Sequence, residues 1–155
     1  MALVMEGEER IAAPVGTVWD ALNDVDVLRR CIPGCESLER TEDGGLNAAV
    51  VLRIGPIKAT FAGTVALLNL DPPHGYTIQG EGKGGVAGFA KGGADVRLSE
   101  DGPDATLLRY AARADVGGKM AQLGSRLIDS TSRKLAGQFF ATFNQTVSAR
   151  SSETA

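Results

Sequence analysis

A single histidine stands in the whole chain, and it sits in the turn Asp71-Pro72-Pro73-His74-Gly75. A nucleophilic triad needs a base held beside the nucleophile, so acyl-transfer chemistry has no evident carrier. The two cysteines, Cys31 and Cys35, lie in Cys-Ile-Pro-Gly-Cys. That spacing fits neither a redox pair nor a common zinc knuckle, and His74 is too far along the chain to join them. They read as plain thiols, and no metal site is expected. No basic segment followed by a long apolar run opens the sequence, and no stretch reaches the length of a bilayer span. The expectation is a cytoplasmic protein, where a structural disulfide is out of place. A formal net charge of −3 argues against a nucleic-acid binder. Aromatic residues make up only 5% of the chain. The interior must be filled by small and aliphatic side chains, or be partly unfilled.

What is present is a soluble, foldable composition: 155 residues, 43% hydrophobic and 23% charged. There are 20 glycines, and they crowd into Gly80-Glu81-Gly82-Lys83-Gly84-Gly85-Val86-Ala87-Gly88-Phe89-Ala90-Lys91-Gly92-Gly93. Glycine costs entropy in a strand and gives it nothing to pack. So many together indicate a sheet that leaves space, or a backbone that something approaches closely. Gly80, Gly82 and Gly85 match a dinucleotide fingerprint, but that motif needs a helix to open there, and a strand follows instead.

Taken in order, residues 5–12 read as a strand. Pro14 suits a helix start, with Val15, Val18, Trp19 and Leu22 at helical spacing. Asn23 or Asp24 caps a second short helix carrying Val25, Leu28 and Ile32. Six strands follow, at 36–40, 46–54, 57–68, 76–79, 94–99 and around 108–114, alternating apolar and polar and separated by turns rich in Gly, Pro and Asp. Residues 119–149 contain no proline and repeat apolar residues every three or four positions, which predicts one long amphipathic helix. The fold class is α+β: a curved antiparallel sheet of about seven strands gripping a long C-terminal helix, with two short helices after the first strand. One domain spans 1–150, and 151–155 reads as a disordered polar tail.

In an up-and-down meander alternate turns share an end. Residues 31–35, Gly55-Pro56, the loop at 84–88 and Val116-Gly117-Gly118 therefore gather at one end. Inward side chains shrink toward it on several strands. Phe61 gives way to Ala59, Ile78 to Gly80 and Gly82, Val96 to Ala94 and Gly92, Tyr110 to Ala112 and Ala114. With a wall of Met120, Leu123, Gly124 and Leu127 from the helix, and Phe89 as a lid, this predicts a cavity for a hydrophobic small molecule. Val86 and Phe89 make an apolar loop tip beside Lys83, Lys91 and Lys119, a combination suited to an anionic membrane surface or an acidic partner. Asp115, Ser125 and Asp129 form no acid–base pair inside this space, so no catalytic residue and no enzyme activity are expected.

Four groups of residues carry a resemblance. They are Cys31-Ile32-Pro33-Gly34-Cys35-Glu36 with Gly55-Pro56-Ile57-Lys58-Ala59-Thr60-Phe61; Asp71-Pro72-Pro73; the glycine run through Gly92; and Gly117-Gly118-Lys119-Met120-Ala121-Gln122-Leu123-Gly124-Ser125-Arg126-Leu127-Ile128-Asp129. Over about residues 5–147 the chain resembles the CoxG family of carbon monoxide dehydrogenase subunits, within the START-like helix-grip superfamily. The resemblance implies a non-catalytic accessory protein of a molybdenum-containing carbon monoxide dehydrogenase or related hydroxylase. It also implies an apolar ligand. Together these point to an isoprenoid quinone, menaquinone or ubiquinone, carried between enzyme and membrane by a protein peripheral at the cytoplasmic face. The alternative is a membrane-recruitment or assembly factor with no required ligand.

Overall fold

The computed structural model describes residues 1–154, with side chains as far as Arg150. The chain opens with strand β1 (Ala2–Ile11) and crosses through two short helices, α1 (Val15–Leu22) and α2 (Val25–Cys31). Pro14 precedes α1 as its cap residue, and Val18, Ala21 and Leu22 form the buried face. The Asp24 carboxylate accepts from the main-chain N–H groups of Asp26 (3.0 Å) and Val27 (3.4 Å) and caps α2. Asp26 in the first turn and Arg29 and Arg30 in the last suit the helix dipole. The helix ends at Ile32, before Pro33, as the residue ahead of a proline is pushed out of the α region.

Six strands follow in a meander: β2 (Cys35–Arg40), β3 (Leu46–Ile54), β4 (Ile57–Asp71), β5 (Gly75–Lys83), β6 (Phe89–Glu100) and β7 (Thr106–Gly117). The sheet order is β1-β7-β6-β5-β4-β3-β2, antiparallel throughout, so the first strand closes beside the last. Most of the glycine run belongs to β5 and β6, which continue through it. Only residues 84–88 connect them, over a 3-10 turn at Gly85–Ala87.

The expected single helix from residue 119 is divided. Lys119–Leu123 forms a 3-10 turn, Gly124 takes φ +96°, and the long helix α3 runs Ser125–Thr154. A positive φ cannot continue a right-handed helix, and glycine adopts it without strain. The expected tail at 151–155 falls on residues that lie, in whole or in side chain, outside those described.

α3 crosses the concave face, and the core divides along it. The larger cluster joins Ile11, Val18, Leu22, Val27, Tyr76, Val96, Leu98, Leu108, Phe143 and Val147, with Trp19, Phe139 and Phe140 packed against it. A second cluster joins Ile54, Phe61, Ala87, Val116, Met120 and Ile128, with Ala59, Leu123 and Leu127 beside it. The α3 residues between the two clusters, Thr131, Ser132, Leu135 and Ala136, are only half-buried.

Candidate functional site

Between the two clusters the inner face of the sheet is lined by residues with little side chain. Gly80 and Gly82 of β5, Ala90, Gly92 and Ala94 of β6, and Ala112 and Ala114 of β7 form a floor. Leu3 and Met5 of β1, Val65 of β4 and Ile78 of β5 border it. The space above is a cavity of about 310 Å³ with almost wholly apolar walls, at the small end of the range for ligand pockets. Polar side chains on the same strands point to the opposite face, because alternation along a pleated strand forces it.

The glycines of this floor do two different things. A β-carbon on Gly92 would lie 2.0 Å from the Arg113 carbonyl oxygen, and one on Gly93 2.3 Å from that of Ile78. These glycines let neighbouring backbones crowd together, which curls the sheet. A β-carbon on Gly82 would meet nothing nearer than the Ala62 carbonyl oxygen at 3.9 Å. That glycine leaves room. Gly80 stands between: a β-carbon there would lie 2.9 Å from the Thr64 carbonyl oxygen.

The expected site residues fall into five groups. Gly80, Gly82, Gly92, Ala94, Ala112 and Ala114 come together as the floor. Ala59, Phe61, Met120, Leu123 and Leu127 instead build the second cluster, so the end expected to be an open mouth is filled. Tyr110 does face inward, one pleat beyond Ala112, where its ring stacks on Phe140 at 5.4 Å and its hydroxyl lies over Gly7. Phe89 is no lid. It shares the outer face of β6 with Lys91, is 48% exposed, and lays its ring over Gly117. Gly124 lies in the break before α3, outside the cavity wall. Sequence reasoning missed Leu3 and Met5 of β1, Val65, Ile78 and Ala90 as lining residues. Extending the alternation of β1 toward the N-terminus finds the first two.

At the glycine-loop end Val86 is 86% exposed. Lys83, Lys91 and Lys119 are exposed nearby, Lys83 at 4.0 Å from Glu81. The outer face of the sheet carries a broader concavity of about 1420 Å³, but polar groups such as Thr64, Thr77, Gln79, Asp95 and Arg113 line it. The inner cavity, though smaller, is the one suited to an apolar molecule.

Titratable groups near the cores are kept neutral. Burial pushes the Tyr76 phenol up to about 12. Burial first, then the nearby Glu9 charge, raises Tyr110 against the opposing pull of Arg133. Burial also raises the Cys31 and Cys35 thiols, which makes them poor nucleophiles at neutral pH. The structure records both cysteines as free thiols. Among the described residues, no group of three His, Cys, Asp or Glu could hold a metal ion.

The family model of the carbon monoxide dehydrogenase subunit CoxG matches residues 7–148. A conserved protein from Geobacillus kaustophilus superposes with a TM-score of 0.90 at 28% identity, over 95% of this chain and 96% of that one. An aromatase/cyclase from Streptomyces gives 0.71 at 14% identity, over 97% and 96%. A START superfamily protein from Mycobacterium smegmatis gives 0.63 at 18% identity, over 98% and 99%. These likenesses establish a START-like helix-grip fold. No curated protein matches the sequence.

Proposed function

This chain belongs to the CoxG family of carbon monoxide dehydrogenase subunits, and from that premise we propose that it is a non-catalytic accessory protein of a molybdenum-containing carbon monoxide dehydrogenase. It binds a respiratory lipoquinone, menaquinone or ubiquinone, in its inner cavity and carries it between membrane and enzyme. The observation that carries this reading is the stripped floor from Gly82 to Ala114, set between two filled apolar clusters. Close-packed interiors do not leave such walls without an occupant. An isoprenoid chain suits walls with almost no polar surface. Tyr110, whose hydroxyl has no hydrogen-bond partner among the described residues, offers a donor to a ring oxygen beside the floor.

The membrane side of the task falls to the glycine-loop end. Val86 and Phe89 enter the interface, and Lys83, Lys91 and Lys119 meet anionic headgroups. Among the described residues, no helix is long and apolar enough to cross a membrane. Contact in this reading is peripheral, at the cytoplasmic face.

A second reading has one observation in its favour. Phe89 lies on the outer face, where an occupant of the cavity does not touch it. A recruitment or assembly factor would use that surface and need no ligand. Organic extraction and mass spectrometry of protein purified without detergent test the first reading: a stoichiometric isoprenoid quinone is expected. A clean extract, followed by no binding of added menaquinone, sinks it. Filling the cavity with Ala112→Phe and Ala114→Leu separates the two: a carrier loses its function, whereas a recruitment factor keeps it and loses it only with Phe89→Asp.

A further inference from the structure

The two edges of the sheet are finished differently. β2 has six residues, slips register against β3 between Cys35 and Ser37, and packs beside α2. β1 has ten residues and pairs with β7 in one unbroken register, from Ala2 opposite Asp115 to Ile11 opposite Thr106. It contains no proline, no bulge and no lysine. Those are the devices that ordinarily keep an edge strand from pairing with another chain.

The register identifies the free groups. Met1 and Val116 exchange both main-chain bonds, at 3.0 and 2.8 Å. Such pairs recur every second residue along an antiparallel ladder. Leu3, Met5, Gly7, Glu9 and Ile11 therefore bond to β7, while Ala2, Val4, Glu6, Glu8 and Arg10 turn their N–H and C=O groups outward. One step of this open ladder is occupied, by a side chain. Asn144 of α3 accepts from the Ala12 N–H at 3.1 Å and donates to the Arg10 carbonyl at 3.2 Å, as a neighbouring strand would. From Ala2 to Glu8 no described residue bonds to that side.

We propose that this edge accepts an extended, basic segment of a protein partner as an eighth strand. The side chains beside the free ladder set the chemistry. Val4 is 62% exposed, and Glu6 has no ion-pair partner among the described residues. Of the nearby cations, Arg10 is engaged by Asp101 at 2.9 Å and Arg109 by Glu8 at 3.1 Å; Arg113, opposite Val4, has no ion-pair partner among the described residues, but the equally unpaired Glu6 and Asp115 carboxylates outnumber it, so the strip stays net acidic. The complement is an apolar residue beside Val4 and a lysine or arginine beside Glu6. A second copy of β1 is net acidic, and its one cation, Arg10, is held by Asp101. This mode of pairing takes affinity from main-chain bonds and selectivity from alternate side chains.

The probe is a short capped peptide in which threonines alternate with one valine and two lysines, added to the isotope-labelled protein. Saturable slowing of amide exchange is expected at Val4, Glu6 and Glu8, with no change along β2. Glu6→Lys, on an exposed side chain, weakens binding roughly tenfold. A peptide N-methylated on its bonding edge does not bind. Unchanged exchange at those three amides under saturation overturns the proposal, as does equal binding of the N-methylated peptide. Sedimentation showing a dimer that Val4→Lys dissolves overturns it in favour of self-pairing. None of these readouts depends on an occupant of the cavity.

Discussion

The two ends of the concave face are built from different materials. At one end Trp19 meets Tyr76 edge-on at 5.4 Å, Phe139 stacks on Phe143 at 5.7 Å, and α1, α2 and the later turns of α3 converge on them. At the other, Phe61 is the lone aromatic, and its partners come from the β3–β4 hairpin, β7, the first turn of α3 and two 3-10 turns. The first end concentrates large rings on regular elements, so it is the anchor. The second is lighter, with aliphatic side chains of β3, β7 and α3 meeting Ala87 and Met120 on two 3-10 turns, so it is the closure. The floor between them has neither, and the cavity is what remains when two cores stop short of each other.

The largest effect that sharpens this contrast is Phe143→Ala at the anchor. The ring is fully buried, and its loss costs about 3–5 kcal/mol by denaturant unfolding. Met120→Ala at the closure costs nearer ~2 kcal/mol, the low end for a buried methionine beside segments that can collapse. Equal losses would break the comparison. The floor glycines give the next contrast. Gly92→Ala drives a methyl against the Arg113 carbonyl and destabilises by roughly 2–3 kcal/mol, whereas Gly82→Ala stays within about 0.5 kcal/mol, both read by thermal unfolding. Filling the floor with Ala112→Phe and Ala114→Leu leaves the melting temperature nearly unchanged but weakens menaquinone binding at least roughly tenfold in a titration.

The smallest effect concerns acid. The Arg150 guanidinium, 3.0 Å away, and the main-chain N–H groups of Val27 and Asp26 hold the Asp24 carboxyl below its ordinary value, against the opposing pull of burial. A carboxyl lowered in the folded state contributes stability above its unfolded value of 3.8 and loses it as pH falls through the folded value. Asp24→Asn keeps the cap but removes the charge. Because both side chains are partly exposed, it costs only about 0.5–1 kcal/mol at neutral pH. Unfolding curves of the two proteins converge in acid.

Much of this was legible in the sequence. Period-two alternation located β3 to the residue, and the order of elements fixed the grip. The floor was readable because three neighbouring strands, β5, β6 and β7, lose side-chain bulk in the same direction. Three things were not. Gly124 sits among Met120, Leu123 and Leu127 at spacings that a 3-10 turn and an α-helix nearly share, so periodicity does not see the break. Phe89 faces outward because β6 begins at Phe89; starting that strand only at Ala94 severed Phe89 from the parity of Ala94, Val96 and Leu98. Gly82 and Gly92 look alike in sequence, since the difference between them is the distance to the next backbone.

The turn that carries Met120 is fastened in an unusual manner for a structural plug. Gly118 and Gly124 bracket it at φ +81° and +96°. Its main-chain bonds close on themselves, Ala121 to Gly118 and Gly124 to Ala121, so no rung of the sheet depends on it. Only side chains hold it down. Its lifting would break no strand pairing. On the carrier reading proposed above, the time a guest spends inside then follows the lifting of these five residues, not the stability of the fold that surrounds it.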